Sequence, residues 1–234
     1  MKQVYIIHGY DDTPERHWYR WLEQALKAEN ISAHCLAIPN PADPNVEVWV
    51  GTLEKELEMI FRKTEKEDIA GVLKIIESAK ERMKNMGLDQ WQNGYPNKNS
   101  IREDVDKGIS YIMEENGEIL GTSVLTFERE EVYENIKEGK WLSDGEYAVI
   151  HRIAVSDSGK NKGVSGEILK ELEKICIKKG IYSIKIDTHE DNEPMKGFLK
   201  KNGFLFCGII YLDREPDLNA KRVTFEKILE KKEN

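Results

Sequence analysis

The 234-residue chain is poor in the features that most quickly narrow a protein's class. It has three cysteines, Cys35, Cys176 and Cys207, odd in number, far apart and set among apolar neighbours. That pattern fits reduced buried thiols better than disulfides or a zinc site, so no metal is expected. No apolar run approaches the roughly 18 to 20 residues that cross a bilayer, so no membrane partner is expected. The N-terminus passes straight into an apolar run with neither a basic lead nor a small-residue cleavage site, which makes a cytoplasmic location the expectation. Positive charge is in deficit as well: 35 Lys and Arg against 43 Asp and Glu leave a net charge of -8. A nucleic-acid binder needs clustered cations, and none is expected here. The tail Lys227 to Lys232 is basic, but Glu230 and Glu233 interrupt it, so it reads as a solvated helix end. Internal repeats and low-complexity tracts are absent. What remains, 33% charged and 39% hydrophobic residues, suits a soluble globular protein of one or two domains.

Charge and periodicity divide the chain in two. The first 58 residues hold five Lys and Arg against ten Asp and Glu. They read as a strand Val4 to His8, a helix Pro14 to Glu29, a strand Ser32 to Ile38, a proline-rich turn and a helix Val46 to Leu57. At Met59 the pattern restarts with a short strand Ile60 to Lys63. Thr64 with Glu67 forms a capping box, and Ile69, Val72, Leu73 and Ile76 lay an apolar stripe along the helix that follows, with Gly87 as its stop. Ser100 with Glu103 opens a second, shorter helix ending at Gly108. Strands Ser110 to Met113 and Ile119 to Phe127 flank the hairpin signal Asn116-Gly117. Tyr147 to Val155 suits a central strand, followed by a polar loop and a helix carrying Ile168, Leu172, Ile175 and Cys176. A strand through Tyr182, Ile184 and Ile186, a helix capped by Asn192, and strands Phe204 to Leu212 and Arg222 to Ile228 complete the order β-α-α-β-β-β-α-β-α-β-β.

Chemistry concentrates at the strand-to-helix junction Lys160-Asn161-Lys162-Gly163-Val164-Ser165-Gly166. A turn entering a helix N-terminus offers converging backbone N–H groups and a favourable dipole to a diphosphate. Gly163 permits close approach, Ser165 is small, and Lys160 and Lys162 add positive charge. Alone, such a loop is as readily a plain structural turn. From Met59 to about Leu229, however, the element order and this loop's place after the fourth strand resemble the GNAT (Gcn5-related) N-acetyltransferase family. The family's pyrophosphate motif, Gln/Arg-x-x-Gly-x-Gly/Ala, would read Lys160-Asn161-Lys162-Gly163-Val164-Ser165, with Lys and Ser as departures that bear on affinity. The strand Val149 to Val155 and the block Asp187-Thr188-His189-Glu190-Asp191-Asn192-Glu193-Pro194-Met195 resemble bacterial members too. The resemblance implies an α/β (α+β) fold whose mixed central sheet splays between its fourth and fifth strands, and acetyl-CoA as co-substrate. Backbone groups of Ile153, Ala154 and Val155 would meet the pantetheine arm, and Asn192 the cofactor, although Asn192 is also an ordinary helix cap.

Direct acetyl transfer to an amine needs a neutral nucleophile, a polarised thioester and a proton for the departing thiolate. Strand alternation puts Val149, His151, Ile153 and Val155 on one face, which makes His151 the candidate base. A structural histidine is the alternative. Glu146 at the strand start is a second candidate, of opposite parity unless a bulge intervenes. Members often carry an acid tyrosine where this chain has Leu199, and Tyr211 has no motif behind it, so the acid stays unassigned. Trp91, Tyr95 and Pro96, with Tyr133 and Trp141, are candidate walls for the acceptor, a small amine or a peptide, or else core. A non-catalytic acyl-CoA-binding module is the competing reading.

The front segment resembles the beginning of small α/β serine hydrolases of the retinoblastoma-binding-protein type, through Val4-Tyr5-Ile6-Ile7-His8-Gly9-Tyr10, Thr13-Pro14-Glu15-Arg16-His17-Trp18 and Pro39-Asn40-Pro41. Such enzymes need a Gly-x-Ser-x-Gly elbow followed by an acid and a histidine, and none follows here. The segment is therefore expected to be catalytically incomplete, with residues 59–234 as the acyltransferase domain. Two strands and two helices cover a core poorly, so it should dock on its own chain's second domain or pair with the same segment of another chain as a homodimer. A remnant without function is the alternative.

Overall fold

The computed structural model describes residues 3–29, 31–57, 59–213, 215 and 217–230. The chain divides into two compact units: Met1–Ile60 with Glu114–Glu118 and Lys160–Lys162, and Phe61–Met113 with Ile119–Gly159 and Gly163–Asn234. The division therefore falls two residues beyond the expected boundary, and two short stretches of the later sequence group with the first unit.

The first unit contains β1 (Gln3–Ile7), α1 (Tyr19–Ala28), β2 (Ser32–Leu36) and α2 (Val46–Leu57). β1 and β2 form a parallel two-stranded sheet, with Val4 beside Ala33 and Ile7 beside Leu36. Ile6, Ala33, Leu36 and Ile38 supply its buried apolar side chains. The helix expected from Pro14 begins only at Tyr19, because His17 has φ 54°, outside the right-handed helical region. β2 stops short of Ile38, whose N–H donates to Nε2 of the buried His8 at 2.9 Å.

The second segment runs β3 (Ile60–Lys63), α3 (Ile69–Asn85), α4 (Lys98–Asp106), β4 (Ser110–Glu115), β5 (Glu118–Thr126), β6 (Ala148–Val155), α5 (Val164–Lys178), β7 (Ser183–His189), α6 (Glu193–Lys201), β8 (Leu205–Tyr211) and β9 (Lys221–Ile228). This is the order read from the sequence. The seven strands form one mixed sheet, β3-β4-β5-β6-β7-β9-β8. Asn116 and Gly117 both take positive φ, as a tight hairpin of this kind requires. Both capping boxes sit elsewhere than expected. The first is Glu65 with Asp68, around a single 3-10 turn, while Thr64 Oγ1 lies 2.7 Å from Ser110 Oγ in the interior. The second is Asn97 with Ser100, because the Asn97 side chain accepts from the N–H groups of Asn99 and Ser100 and starts the helix three residues early. At the C-terminus Lys227 belongs to β9, so the expected helix end is a strand there; residues 231–234 lie outside the described residues.

α3 and α4 cover one face of the sheet, where Ile76, Ile101, Ile112 and Ala154 share a core. α5 covers the other: a Cβ on Gly121 would stand 2.8 Å from Ile168 and 2.9 Å from Val164. Between β5 and β6, Thr122 pairs Ala154 but Val124 pairs His151, so β6 holds one residue more than its partner. This is a β-bulge, and Arg152 within it has φ 51°. It corrects the expected parity. Opposed residues of an antiparallel pair share a face, so Val149, His151 and Ala154 lie on the α3 face, and Val155, opposite Gly121, lies on the α5 face.

Candidate active site

β6 and β7 are paired only at Ala148–Ile184 and Val149–Lys185, although the strands run on to Val155 and His189. The edge of each strand beyond Val149 and Lys185 is thus without a ladder partner on that side. A cleft of about 730 Å³ opens there, lined by residues of β6, β7 and the start of α5. Of the residues singled out in the sequence, His151, Ile153, Ala154, Val155, Ser165 and Asn192 line it. Glu146, Lys160, Asn161, Lys162, Gly163 and Val164 are not among the lining residues. Glu146 is exposed, and Val164 is buried beneath Gly121.

α5 starts at Gly163, with φ 78° and no side chain capping it. Its first N–H groups have no acceptor within the helix. The positions a Cβ would take on Gly163 and Gly166 have nothing within 4 Å, so the backbone is approachable there. These features fit a diphosphate. Lys162, in contrast, donates to Glu115 at 2.8 Å, both side chains largely buried, so the charge expected of it is already paired. Arg82 from α3 donates to the Val155 carbonyl at 2.9 Å and to Asp157 at 3.2 Å. Of the Val155 backbone groups expected to meet a ligand, the carbonyl is therefore already engaged. Asn192 accepts from Met195 N–H at 3.1 Å as the cap of α6 and donates to Gln90 at 3.1 Å.

The polar groups of the cleft come mostly in pairs. His151 Nε2 lies 2.9 Å from Glu130 Oε1. Arg152 donates to Asp104 of α4 at 2.7 Å and to the hydroxyl of Tyr95, whose ring it also overlies. Burial raises the Asp104 carboxyl above its usual range, with the Arg152 charge opposing that shift. Arg222 of β9 reaches Asp217 at 3.4 Å. Asp187 of β7 accepts from the Tyr133 hydroxyl at 2.7 Å. Burial, and then the Asp187 charge, push the Tyr133 phenol well above its ordinary value, so it remains a donor.

Sequence reasoning missed Glu130, Asp104 and Asp187 as parts of this site. Asp187 stood in the block DTHEDNEPM; Glu130 and Asp104 sit in charge-rich stretches with no pattern to single them out. Of the aromatic candidates, Trp91 and Tyr95 line the cleft. Tyr133 and Trp141 pack instead in a core cluster with Tyr147, Val149 and Ile210. Leu199 is buried at 1% exposure, and Tyr211 is exposed outside the cleft. Among the described residues no group of His, Cys, Asp and Glu is arranged to hold a metal, and no helix is long and apolar enough to cross a membrane.

Residues 74–204 match the Acetyltransferase (GNAT) family, and residues 4–65 match the Serine hydrolase family. A GNAT-family acetyltransferase from Streptococcus agalactiae 2603 superposes with a TM-score of 0.66 at 34% identity, over 74% of this chain and 96% of that one. A second, from Listeria monocytogenes 4b F2365, shares the fold at 19% identity and TM-score 0.57, over 74% and 96% of the two chains. The PaiA N-acetyltransferase of Thermoplasma acidophilum, solved in complex with coenzyme A, does so at 18% identity and TM-score 0.54, over 74% and 99%. For the first segment, YdeN of Bacillus subtilis (strain 168), a protein carrying a hydrolase name, is 48% identical over 52 residues, 22% of this chain. The chain spans only 27% of the length of that relative.

Proposed function

The chain belongs to the GNAT acetyltransferase family, and from that premise we propose that it transfers an acetyl group from acetyl-CoA directly to an amine of a small molecule or peptide. The observation that carries this reading is the ladder between β6 and β7 ending at Val149 beside the cleft, with the uncapped start of α5 at its wall. The N–H groups from Gly163 to Ser165 would hold the pyrophosphate, helped by Lys160 and Asn161 in the turn before them. The open β6 edge at Ile153 and Ala154 would take the pantetheine arm, with Asn192 across the cleft.

In the transfer the amine nitrogen attacks the thioester carbonyl carbon, the C–S bond breaks, and the thiolate leaves. His151 would take the proton the amine loses, and Glu130 would orient the imidazole and stabilise its charged form. Glu146, exposed and outside the cleft, has no such support. The thiolate needs only a proton from solvent. For residues 1–58 we infer no hydrolase activity, since no Gly-x-Ser-x-Gly follows them. Binding without turnover is the second reading, favoured by Leu199 lying in the core at the position where the family resemblance implies an acid tyrosine.

Calorimetric titration with acetyl-CoA tests the binding, and thiol release over a panel of amines, amino acids and peptides tests the transfer. His151→Ala should lower kcat about 100-fold or more while acetyl-CoA affinity holds. Full activity in that variant would remove His151 as the base.

A further inference from the structure

The charges of the cleft are matched unevenly. Its three arginines each have an aspartate: Arg82 has Asp157, Arg152 has Asp104, and Arg222 has Asp217. His151 has Glu130. Glu103, Glu128 and Glu215 also line the cleft without an ion pair among the described residues, and Lys107 lines it as a cation. Asp187 differs from those carboxylates in being held by the neutral Tyr133 hydroxyl, at 2.7 Å, with no cation paired to it among the described residues. Lys185, two residues earlier on the same strand, turns its ammonium onto the rings of Trp141 and Tyr147, at 4.2 and 4.0 Å.

Register fixes where Asp187 stands. Val149 and Lys185 are neighbours in the last paired rung of β6 and β7. His151 and Asp187 each follow by two residues, before the bulge, so both share the face of that rung just past the point where the strands cease to pair. Both line the cleft. A carboxylate without a cation, half-buried and fixed by a buried donor, will gain most from a positive charge brought to it.

We propose that Asp187, held by Tyr133, anchors the ammonium form of the acceptor beside the reacting centre, and that the enzyme therefore selects amines with no carboxylate next to the reacting nitrogen. The proposal rests on the acyltransferase reading. Asp187 accepts an N–H of the incoming ammonium; the proton that must leave before attack passes through His151 to solvent, and the second, lost on attack, goes to the emptied His151 while the thiolate takes its proton from solvent. An α-carboxylate on the acceptor would meet Asp187 and Glu130, while every arginine in the cleft is already paired and the remaining lining cation, Lys107, stands at the C-terminal end of α4.

The full chain is tested with matched pairs that differ by one carboxylate, such as tyramine with tyrosine and isobutylamine with valine, alongside short peptides, with thiol release as readout. The decarboxylated member of each pair should be the better substrate by tenfold or more in kcat/KM. Asp187→Asn should raise the amine KM at least tenfold, leave kcat within about threefold and leave acetyl-CoA affinity unchanged; Asp187→Glu should restore part of the loss, and Tyr133→Phe should raise KM less than Asp187→Asn. A fall in kcat at unchanged KM, a preference for the amino acids, or acetyl-CoA binding with no amine acetylated would each overturn the anchor. Failure to bind acetyl-CoA at all would instead remove the acyltransferase reading, and the anchor with it.

Discussion

At the scale of single residues, many of the described charges are set in pairs, and Glu23 in α1 shows what such pairing does. Burial alone would raise its carboxyl, but Arg20 at 2.7 Å and Lys27 at 2.9 Å more than offset that and hold it at about 2 instead of 4.5. A depressed folded value means that the stabilisation is complete above about 4.5 and is lost as pH falls toward about 2. Glu23→Gln should therefore lower the stability of the first unit at neutral pH and flatten its decline across that window. Circular dichroism melts at stepped pH would register this, and an unchanged acid profile in the variant would show that the pairing carries no stability. The same scale explains why parts of the site stayed hidden in the sequence. A helix cap such as Asn192 announces itself through neighbours three residues on. Glu130 and Asp104 meet His151 and Arg152 only through folding, across 21 and 48 residues.

Elements were the most legible level. Periodicity and turn residues gave the whole β-α-α-β-β-β-α-β-α-β-β order because each stripe, hairpin and glycine stop is local. What failed was equally physical. Thr64 and Ser100 each have the chemistry of a cap, but Thr64 is spent on Ser110 and Ser100 serves as the third residue of the Asn97 box. His17 breaks α1 through a backbone angle that its side chain does not advertise. The alternation rule failed within β6 because an inserted residue has no compositional mark. Close packing of elements is more readily tested than read. The start of α5 rests on Gly121, where an added methyl would need Ile168, Val164 and the Ala154 carbonyl, at 2.8, 2.9 and 3.2 Å, to give way. Gly121→Ala should cost about 1–3 kcal/mol, seen as a lower Tm, and should weaken acetyl-CoA binding through displacement of the α5 N-terminus. A Tm equal to that of the parent chain would mean the helix moves at no cost.

On the scale of the whole molecule, the chain joins a GNAT segment comparable in extent with a solved relative, 96% of which it covers, to a stretch matching 27% of a hydrolase-named protein. Among the described residues the first unit's sheet has two strands, each with one edge outside the ladder. Trp18, Trp21 and Val46 are more than half exposed there. We expect this unit to pair with its copy in a second chain. Sedimentation should give a dimer for the full chain and a monomer for a variant lacking residues 1–58, which should still bind acetyl-CoA; a monomeric full chain would defeat the pairing.

The bulge at Arg152 behaves as a phase slip in an otherwise regular wave. Upstream of it lies His151, which on the proposed reading would serve the acceptor; downstream, on a reset beat, lie Ile153 and Ala154, which would serve the acyl carrier. The two halves of one strand can therefore vary separately. On the proposed reading, a change in the acceptor need not disturb donor binding, whereas deleting a single residue between them would turn the downstream half over and scramble its side chains in one step.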